Sequence, residues 1–94
     1  MDERKYNMIS KYLDYHFGEI IRTEKRYDDD KYYSLYVYTS NYGDDDASYI
    51  ITSEGVLFLN DDIRKFVTQM FDLTYQELIK VLSRKLNTKI HTVL

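Results

Sequence analysis

The sequence contains no cysteine, no proline and no tryptophan among its 94 residues, and only three glycines. The lack of cysteine excludes a disulfide framework and thiolate metal sites, and nothing in the chain requires an oxidising compartment. The lack of proline leaves no local marker of a linker or of a polyproline segment. Because Gly18, Gly43 and Gly55 are isolated from one another, the chain also has no glycine-rich phosphate-binding loop.

Long hydrophobic runs are missing as well. No apolar run approaches the roughly 20 residues that span a bilayer, and no apolar segment follows the charged residues 2–5 as it would in a signal peptide. We therefore expect a cytoplasmic protein with no membrane contact. The length and the 44% hydrophobic fraction predict a single domain over residues 1–94 with one modest core.

Acidic charge is concentrated in the middle of the chain. Residues 28–62 carry nine carboxylates and one lysine, a local charge of −8, whereas the residues before them carry +1 and residues 63–94 carry +4. The formal net charge of −3 therefore hides a strong segregation. A negative region of this kind suits a basic partner.

Hydrophobic periodicity predicts an amphipathic helix before the acidic region and another that begins at its end. The first covers residues 3–17 and ends at Gly18, which can adopt the left-handed conformation of a C-terminal cap. The second covers residues 60–71, with Asn60 as its N-cap. Its predicted buried stripe consists of Ile63, Phe66, Val67, Met70 and Phe71.

A third helix is predicted over residues 74–87. Thr74 and Glu77 have the spacing of a capping box, the strongest local signature in the chain. Asn87 can cap the other end of this helix. The weak alternation of residues 88–94 is compatible with either a last strand or an ordered tail.

Alternating apolar and polar residues predict strands over residues 19–27, 32–40, 47–52 and 56–59. In the strand 32–40, one face is expected to meet the core and the other to meet water. The core face carries Tyr33, Leu35, Val37 and Thr39, and the water face carries Tyr32, Ser34, Tyr36 and Tyr38. The elements together predict an α+β fold with an N-terminal helix, a three- to four-stranded antiparallel meander, and two C-terminal helices packed on one sheet face.

The candidate partner-binding residues are the aspartates of two acidic turns and the tyrosines between them. They are Asp28, Asp29, Asp30, Tyr32, Tyr36, Tyr38, Asp44, Asp45 and Asp46. Nine strand residues separate the two aspartate runs by roughly 30 Å, so the runs cannot form one compact metal site. We expect the carboxylates to steer a basic partner and the tyrosines to anchor it. The plain alternative is that the same residues are solvated turns and partly buried sheet tyrosines.

The sequence offers no catalytic constellation. His16 is expected to be a partly buried, hydrogen-bonded residue at the core margin, and neither it nor His91 has a spacing that pairs it with a nucleophile. The carboxylates lie in predicted turns, where burial rarely raises a pKa. We therefore expect no enzymatic activity, no cofactor and no metal. Nucleic-acid binding at the tyrosines is disfavoured too, since their segment has one lysine against nine acids.

The last predicted helix supplies an alternative surface. Four basic residues recur in it or just beyond it at spacings of three to five, which places most of them on one stripe. They are Lys80, Arg84, Lys85 and Lys89. This stripe could contact nucleic acid, although a solvated face explains the same residues.

In layout the chain resembles small phage-encoded inhibitors such as anti-restriction and anti-CRISPR proteins: it is short, free of cysteine, acidic on one surface and without a catalytic constellation. The resemblance implies an inhibitor whose carboxylates imitate phosphate charge in a nucleic-acid-binding groove. We therefore expect a non-catalytic protein that binds a basic protein, such as a nuclease or another effector, as a monomer or homodimer. The alternatives are an immunity protein or antitoxin that neutralises a basic toxin, and a nucleic-acid-binding accessory protein that uses the basic helix.

Overall fold

The computed structural model describes residues 2–93 of the chain, with side chains described for residues 2–87. In chain order its elements are helix α1 (Glu3–Phe17), strands β1 (Ile20–Tyr27), β2 (Tyr33–Thr39), β3 (Tyr49–Thr52) and β4 (Leu57–Phe58), and helices α2 (Asp61–Met70) and α3 (Tyr75–Val93). The predicted α+β class and the predicted order of elements are confirmed.

The four strands form one sheet in the order β1-β2-β3-β4, and each neighbouring pair is antiparallel, as in the predicted meander. Val37 lies opposite Tyr49, and Ile51 lies opposite both Leu35 and Leu57. The alternating apolar side chains of three strands are therefore aligned on one face of the sheet.

The helices pack on this apolar face. Their buried residues form one cluster with Val37, Tyr49, Ile51 and Leu57 of the sheet. The helical members of the cluster are Ile9, Leu13 and Phe17 in α1, Val67 in α2, and Leu78, Ile79, Val81, Leu82 and Leu86 in α3. The opposite face of the sheet is left to its own side chains.

Both ends of α1 are set by local chemistry. At the N-terminal end, the Asp2 carboxylate accepts a hydrogen bond from the Lys5 N–H at 2.8 Å. At the C-terminal end, Gly18 has a φ of 78°, which other residues adopt only with strain. A Cβ at Gly18 would also lie 2.1 Å from the Ser40 hydroxyl oxygen. The turn from α1 into β1 therefore requires glycine.

A side chain from α3 covers the outer edge of β4. The Tyr75 hydroxyl accepts a hydrogen bond from the Leu57 N–H at 3.1 Å and donates one to the Leu57 carbonyl oxygen at 2.5 Å. These bonds satisfy two backbone groups that an edge strand otherwise offers to another chain. They also attach the first turn of α3 to the sheet.

The predicted capping box of α3 is confirmed. The Glu77 N–H donates to the Thr74 hydroxyl oxygen at 3.1 Å, and the Thr74 N–H donates to the Glu77 carboxylate at 3.0 Å. The hydrogen bond from the Thr74 backbone holds the pKa of Glu77 below its usual value. The start of α3 is thus fixed by two residues that lie three positions apart in the sequence.

The predicted end of α3 is wrong. The helix does not stop at Asn87 but continues to Val93, so residues 88–93 do not form a strand. The physical reason is that no glycine or proline follows Asn87 to end the helix. Leu94 lies outside the described residues.

The buried stripe of α2 is narrower than predicted. Val67 is fully buried, and Ile63 and Phe71 pack against the core. The prediction is wrong for Phe66 and Met70, which are 51% and 48% exposed. This short helix meets the core along one line of residues spaced by four, which leaves Phe66 and Met70 at the side.

Replacing Thr74 with alanine should lower the free energy of unfolding by about 0.5–2 kcal/mol, because the Glu77 N–H loses its acceptor. Chemical denaturation at neutral pH measures this change. Gln76→Ala is the matched control, since Gln76 is an exposed residue of the same helical turn. Equal midpoints and slopes for Thr74→Ala and the parent protein would show that Thr74 does not cap the helix.

Phe66→Ala should cost only about 1 kcal/mol of stability, since about half of the ring is already in water. Leu13→Ala, at a fully buried position of α1, should cost about 2–5 kcal/mol. Denaturant unfolding of the two variants side by side gives the comparison. A Phe66→Ala loss as large as that of Leu13→Ala would mean that Phe66 is buried in solution.

Candidate functional site

The sheet face turned away from the helices carries arginines above tyrosines. In the register of β1 and β2, Arg22 lies opposite Tyr38 and Glu24 lies opposite Tyr36. The guanidinium carbon of Arg22 is 3.7 Å from the ring centre of Tyr38, and that of Arg26 is 3.9 Å from the ring centre of Tyr36. The guanidinium groups and their aliphatic stems therefore shield the tyrosine rings from water.

Glu24 holds the two arginines in place. Its carboxylate accepts hydrogen bonds from Arg26 at 3.1 and 3.2 Å and from Arg22 at 3.5 Å. The hydrogen bond from Arg26 keeps the pKa of Glu24 below its usual value. This face of the sheet consequently presents an Arg–Glu–Arg row with one more positive than negative charge, and it is not an acidic surface.

The prediction of three tyrosines in an open row is wrong. Tyr38 is only 4% exposed, and Tyr36 is half-buried. Tyr32 precedes β2 and lies beside the first acidic turn, 36% exposed. The alternation of Arg22, Glu24 and Arg26 in β1 is the sequence signal that side chains of β1 cover these tyrosines. It can be interpreted only when the register of β1 and β2 is known.

The first acidic turn contains one structural aspartate. The Asp29 carboxylate accepts hydrogen bonds from the Lys31 and Tyr32 N–H groups at 2.7 and 2.8 Å. These backbone bonds hold the pKa of Asp29 below its usual value. Asp28 and Asp30 are exposed, and their side chains form no hydrogen bond or ion pair within the described part of the chain.

The second acidic turn also has one structural member. Asp44 forms an ion pair with Arg22, and its backbone carbonyl accepts a second bond from Arg22 at 3.3 Å. Asp45 and Asp46 are exposed and have no such partner among residues 2–87. The seven residues of β2 separate the two turns by about 23 Å. The structure thus places the two aspartate runs at opposite ends of the sheet.

Two further aspartates lie at the Asp44–Asp46 end. In an antiparallel meander β2 and β4 run in the same direction, so the loop after β2 and the start of α2 after β4 lie at the same end of the sheet. Asp61 and Asp62 occupy the first turn of α2, where they complement the helix dipole. Asp61 pairs with Arg64 at 3.1 Å, whereas Asp62 has no ion pair with any described side chain.

An open groove of about 520 Å³ lies between these acidic segments. Ala47 and Ser48, which follow Asp46, form part of its lining, and so do Leu59 and Asn60, which precede Asp61. The other lining residues are His16, Tyr42, Tyr49, Ile50, Phe58 and Ile63. A smaller continuation of about 260 Å³ is lined by Tyr12, His16, Asp62, Ile63 and Phe66.

We call these two parts together the acidic groove. Within residues 2–87, no lysine or arginine lines either part. The candidate binding residues predicted from the sequence did not include Asp61 and Asp62, and the groove was not predicted. The signal that could have located both is the predicted meander itself, because strand direction alone determines which loops share an end.

His16 positions the loop beside the groove. The Tyr42 hydroxyl lies 2.6 Å from His16 Nε2, and the two rings are in contact. The Asn41 amide donates to the carbonyl oxygens of Tyr15 and His16 at 3.3 and 3.1 Å, which satisfies the end of α1. The predicted partly buried, hydrogen-bonded state of His16 is confirmed.

Lys85 is not part of a solvated basic stripe. Its ammonium group donates to the Ser10 hydroxyl at 3.0 Å and pairs with Asp14, and its side chain is only 11% exposed. The reason is that α3 packs on α1, and that contact places Lys85 against the polar residues of α1. Lys85 therefore stabilises the helix pair.

Arg84 is engaged in the same way. Its guanidinium group pairs with Glu3 at 2.7 Å and lies 3.8 Å from the ring centre of Tyr6. Lys80 is exposed, and the side chain of Lys89 lies outside the described residues. Two of the four residues of the predicted basic surface, Arg84 and Lys85, are thus engaged by α1.

Other site chemistries have no counterpart in the described part of the chain. Residues 2–87 contain no group of three or more histidine, aspartate or glutamate side chains placed to hold a metal ion. Every buried side-chain nitrogen or oxygen there has a hydrogen-bond partner. Among the described helices, none combines the length and the hydropathy needed to cross a membrane.

Comparisons of this chain with protein-family models, with curated proteins and with solved structures found no match. The acidic groove is therefore judged on its own geometry and charge.

Asp29→Ala should destabilise the protein more than Asp28→Ala or Asp30→Ala, because only Asp29 accepts backbone hydrogen bonds. Since its folded pKa is depressed, this contribution is present above the ordinary aspartate pKa of about 4 and is lost as the pH falls through the folded pKa. Denaturation at neutral pH and below about pH 3 tests both statements. A destabilisation that is equal at the two pH values would contradict this role of the carboxylate.

Lys85→Met should cost about 1.5–3 kcal/mol, because the charged hydrogen bonds to α1 are lost. Lys80→Met is the matched control at an exposed position of the same helix and should be nearly neutral. Equilibrium unfolding in denaturant gives both values. If the two substitutions have the same effect, Lys85 is solvated, as the sequence alone suggested.

Proposed function

We propose that this protein is a non-catalytic binding protein whose acidic groove engages a basic protein surface. The observation that carries the proposal is the group of five aspartates at one end of the sheet, beside an apolar groove that no described lysine or arginine lines. Arg22 and Arg64 pair with two of them. The charges of Asp45, Asp46 and Asp62 are not paired with a described side chain and are therefore available to a partner.

The two components of the groove have different roles in this proposal. The aspartates attract a basic surface over a distance of about one Debye length, roughly 8 Å at physiological salt, and therefore act mainly on the association rate. The apolar lining excludes water once the partner is bound and therefore acts mainly on the dissociation rate. Phe58 and Tyr42, which are 58% and 47% exposed, are the aromatic residues best placed for this second role.

The proposed partner is a basic protein that itself binds nucleic acid, such as a nuclease or another effector of host defence. Surfaces that bind phosphates present clustered lysine and arginine, and exposed carboxylates can occupy them. The layout that this chain shares with small phage-encoded inhibitors supports this choice. An immunity protein or antitoxin would use the same groove on a different target.

Two observations argue against the nucleic-acid-binding alternative. Arg84 and Lys85 of α3 are engaged by α1, so the basic helix presents fewer free cations than its sequence suggests. The arginines of the open sheet face are held by Glu24 and Asp44. The charge that remains for a partner therefore lies on the carboxylates.

The test begins with affinity capture of a partner and continues with association kinetics at low and high salt. Asp45→Asn with Asp46→Asn should slow association and flatten its salt dependence. Asp28→Asn with Asp30→Asn is the matched comparison, since it changes the net charge equally at the opposite end of the sheet. Asp28 and Asp30 stay predicted contacts only for a partner long enough to span β2.

The two pairs of substitutions separate the outcomes. Slower association for the Asp45 and Asp46 pair alone supports contact at the groove end. Equal slowing for both pairs contradicts a site at one end and indicates a partner that spans the sheet. Unchanged rates for both would leave the aspartates as solvated turn residues. Competition between this protein and DNA for the partner tests the proposed inhibition.

A further inference from the structure

The lining of the acidic groove is an apolar surface that the fold leaves uncovered. Phe58 and Tyr42, in the larger part, are 58% and 47% exposed, and Phe66, in the smaller part, is 51% exposed. His16 and Ile63 line both parts, so the groove is continuous. Exposed aromatic residues grouped around one concavity are characteristic of interaction sites, whereas single exposed apolar residues are ordinary.

The groove has the size of a side-chain pocket. A volume of about 520 Å³ lies in the range of sites that bury a small ligand or a few side chains. Its lining is mostly apolar, with His16, Ser48 and Asn60 as the polar members. Such a lining favours an apolar group of the partner, held by exclusion of water rather than by a dense set of hydrogen bonds.

Carboxylates occur next to the lining on both sides. Asp46 directly precedes Ala47 on one side, and Asp61 directly follows Asn60 on the other. Asp62 lines the smaller part itself. When a side chain of a partner enters the groove, the partner residues on both sides of it therefore meet negative charge.

We infer that the acidic groove binds a segment of a partner protein in which an apolar or aromatic side chain is flanked by lysine or arginine. The inference rests on the proposed function and specifies the segment that the groove accepts. The apolar side chain enters between Phe58 and Ile63, and the flanking cations meet Asp46 on one side and Asp62 on the other. The aspartates disfavour an acidic segment, and the apolar lining disfavours a purely polar one.

Synthetic peptides test this inference on the full chain. The first peptide has a central Phe-Leu pair flanked on both sides by lysines, the second has Ala-Ala at the centre, and the third keeps Phe-Leu but replaces the lysines with glutamates. Binding is followed by amide chemical shifts and by fluorescence anisotropy. The first peptide should bind, with shift changes at Tyr42, Ser48, Ile50, Phe58 and Ile63. The other two should bind at least about fivefold more weakly.

Substitutions in the protein locate the site independently. Phe58→Ala and Phe66→Ala should each weaken the first peptide by at least about fivefold, and both positions are exposed enough for the fold to tolerate the change. Tyr27→Ala is the matched control, because Tyr27 is a 65% exposed aromatic residue at the opposite end of the sheet. It should leave the affinity unchanged.

The outcomes distinguish this inference from the proposed function. If the Ala-Ala peptide binds as tightly as the Phe-Leu peptide, and Asp45→Asn with Asp46→Asn weakens both, the apolar anchor is refuted while a basic partner stands. If no lysine-containing peptide binds and the captured partner is indifferent to the aspartates, both fail. Binding of a single-stranded oligonucleotide with shifts at the groove would overturn both in favour of nucleic acid.

Discussion

The burial of a single face of the sheet is the constraint on which the rest of the structure depends. Strands β2, β3 and β4 place their apolar alternation on one side, and the three helices cover that side together. No helix is left for the other side, so the tyrosines of β2 are covered by the arginines of β1. A row of stacked guanidinium groups takes the place of a second helical layer, and it uses cations that a sheet-face binding site would have needed.

The same constraint determines where the acidic charge lies. Carboxylates are expelled from the covered face and neutralised on the open one, so those of residues 28–62 are found in the turns and at the helix start. Because the strands alternate in direction, these turns fall into two groups, one at each end of the sheet. The end that includes the start of α2 also has a groove between its acidic segments. Charge and concavity coincide there through topology.

Local patterns predicted the elements, whereas contacts between elements determined the site. The spacing of Thr74 and Glu77 was sufficient to identify the start of α3, because a capping box is complete within four residues. The burial of Tyr38 required the register of another strand, and the exposure of Phe66 required the packing line of α2. Lys85 likewise could not be assigned from its own helix, since its partners lie in α1. The predicted meander could indicate the end of the sheet at which the groove lies, but not its lining, which comes from four separate segments.

The contact between the first and the last helix affects how the chain folds while it is being synthesised. Asp14 and Lys85 are separated by 71 positions in the sequence. At a translation rate of about 5–20 residues per second, roughly 4–14 s pass between the synthesis of these two residues. During this interval the buried side of α1 has been synthesised but the helix that covers it has not. Until α3 is complete, the core cluster that contains Ile9 and Leu13 is open on one side, and transiently exposed apolar surface of this kind is prone to aggregation.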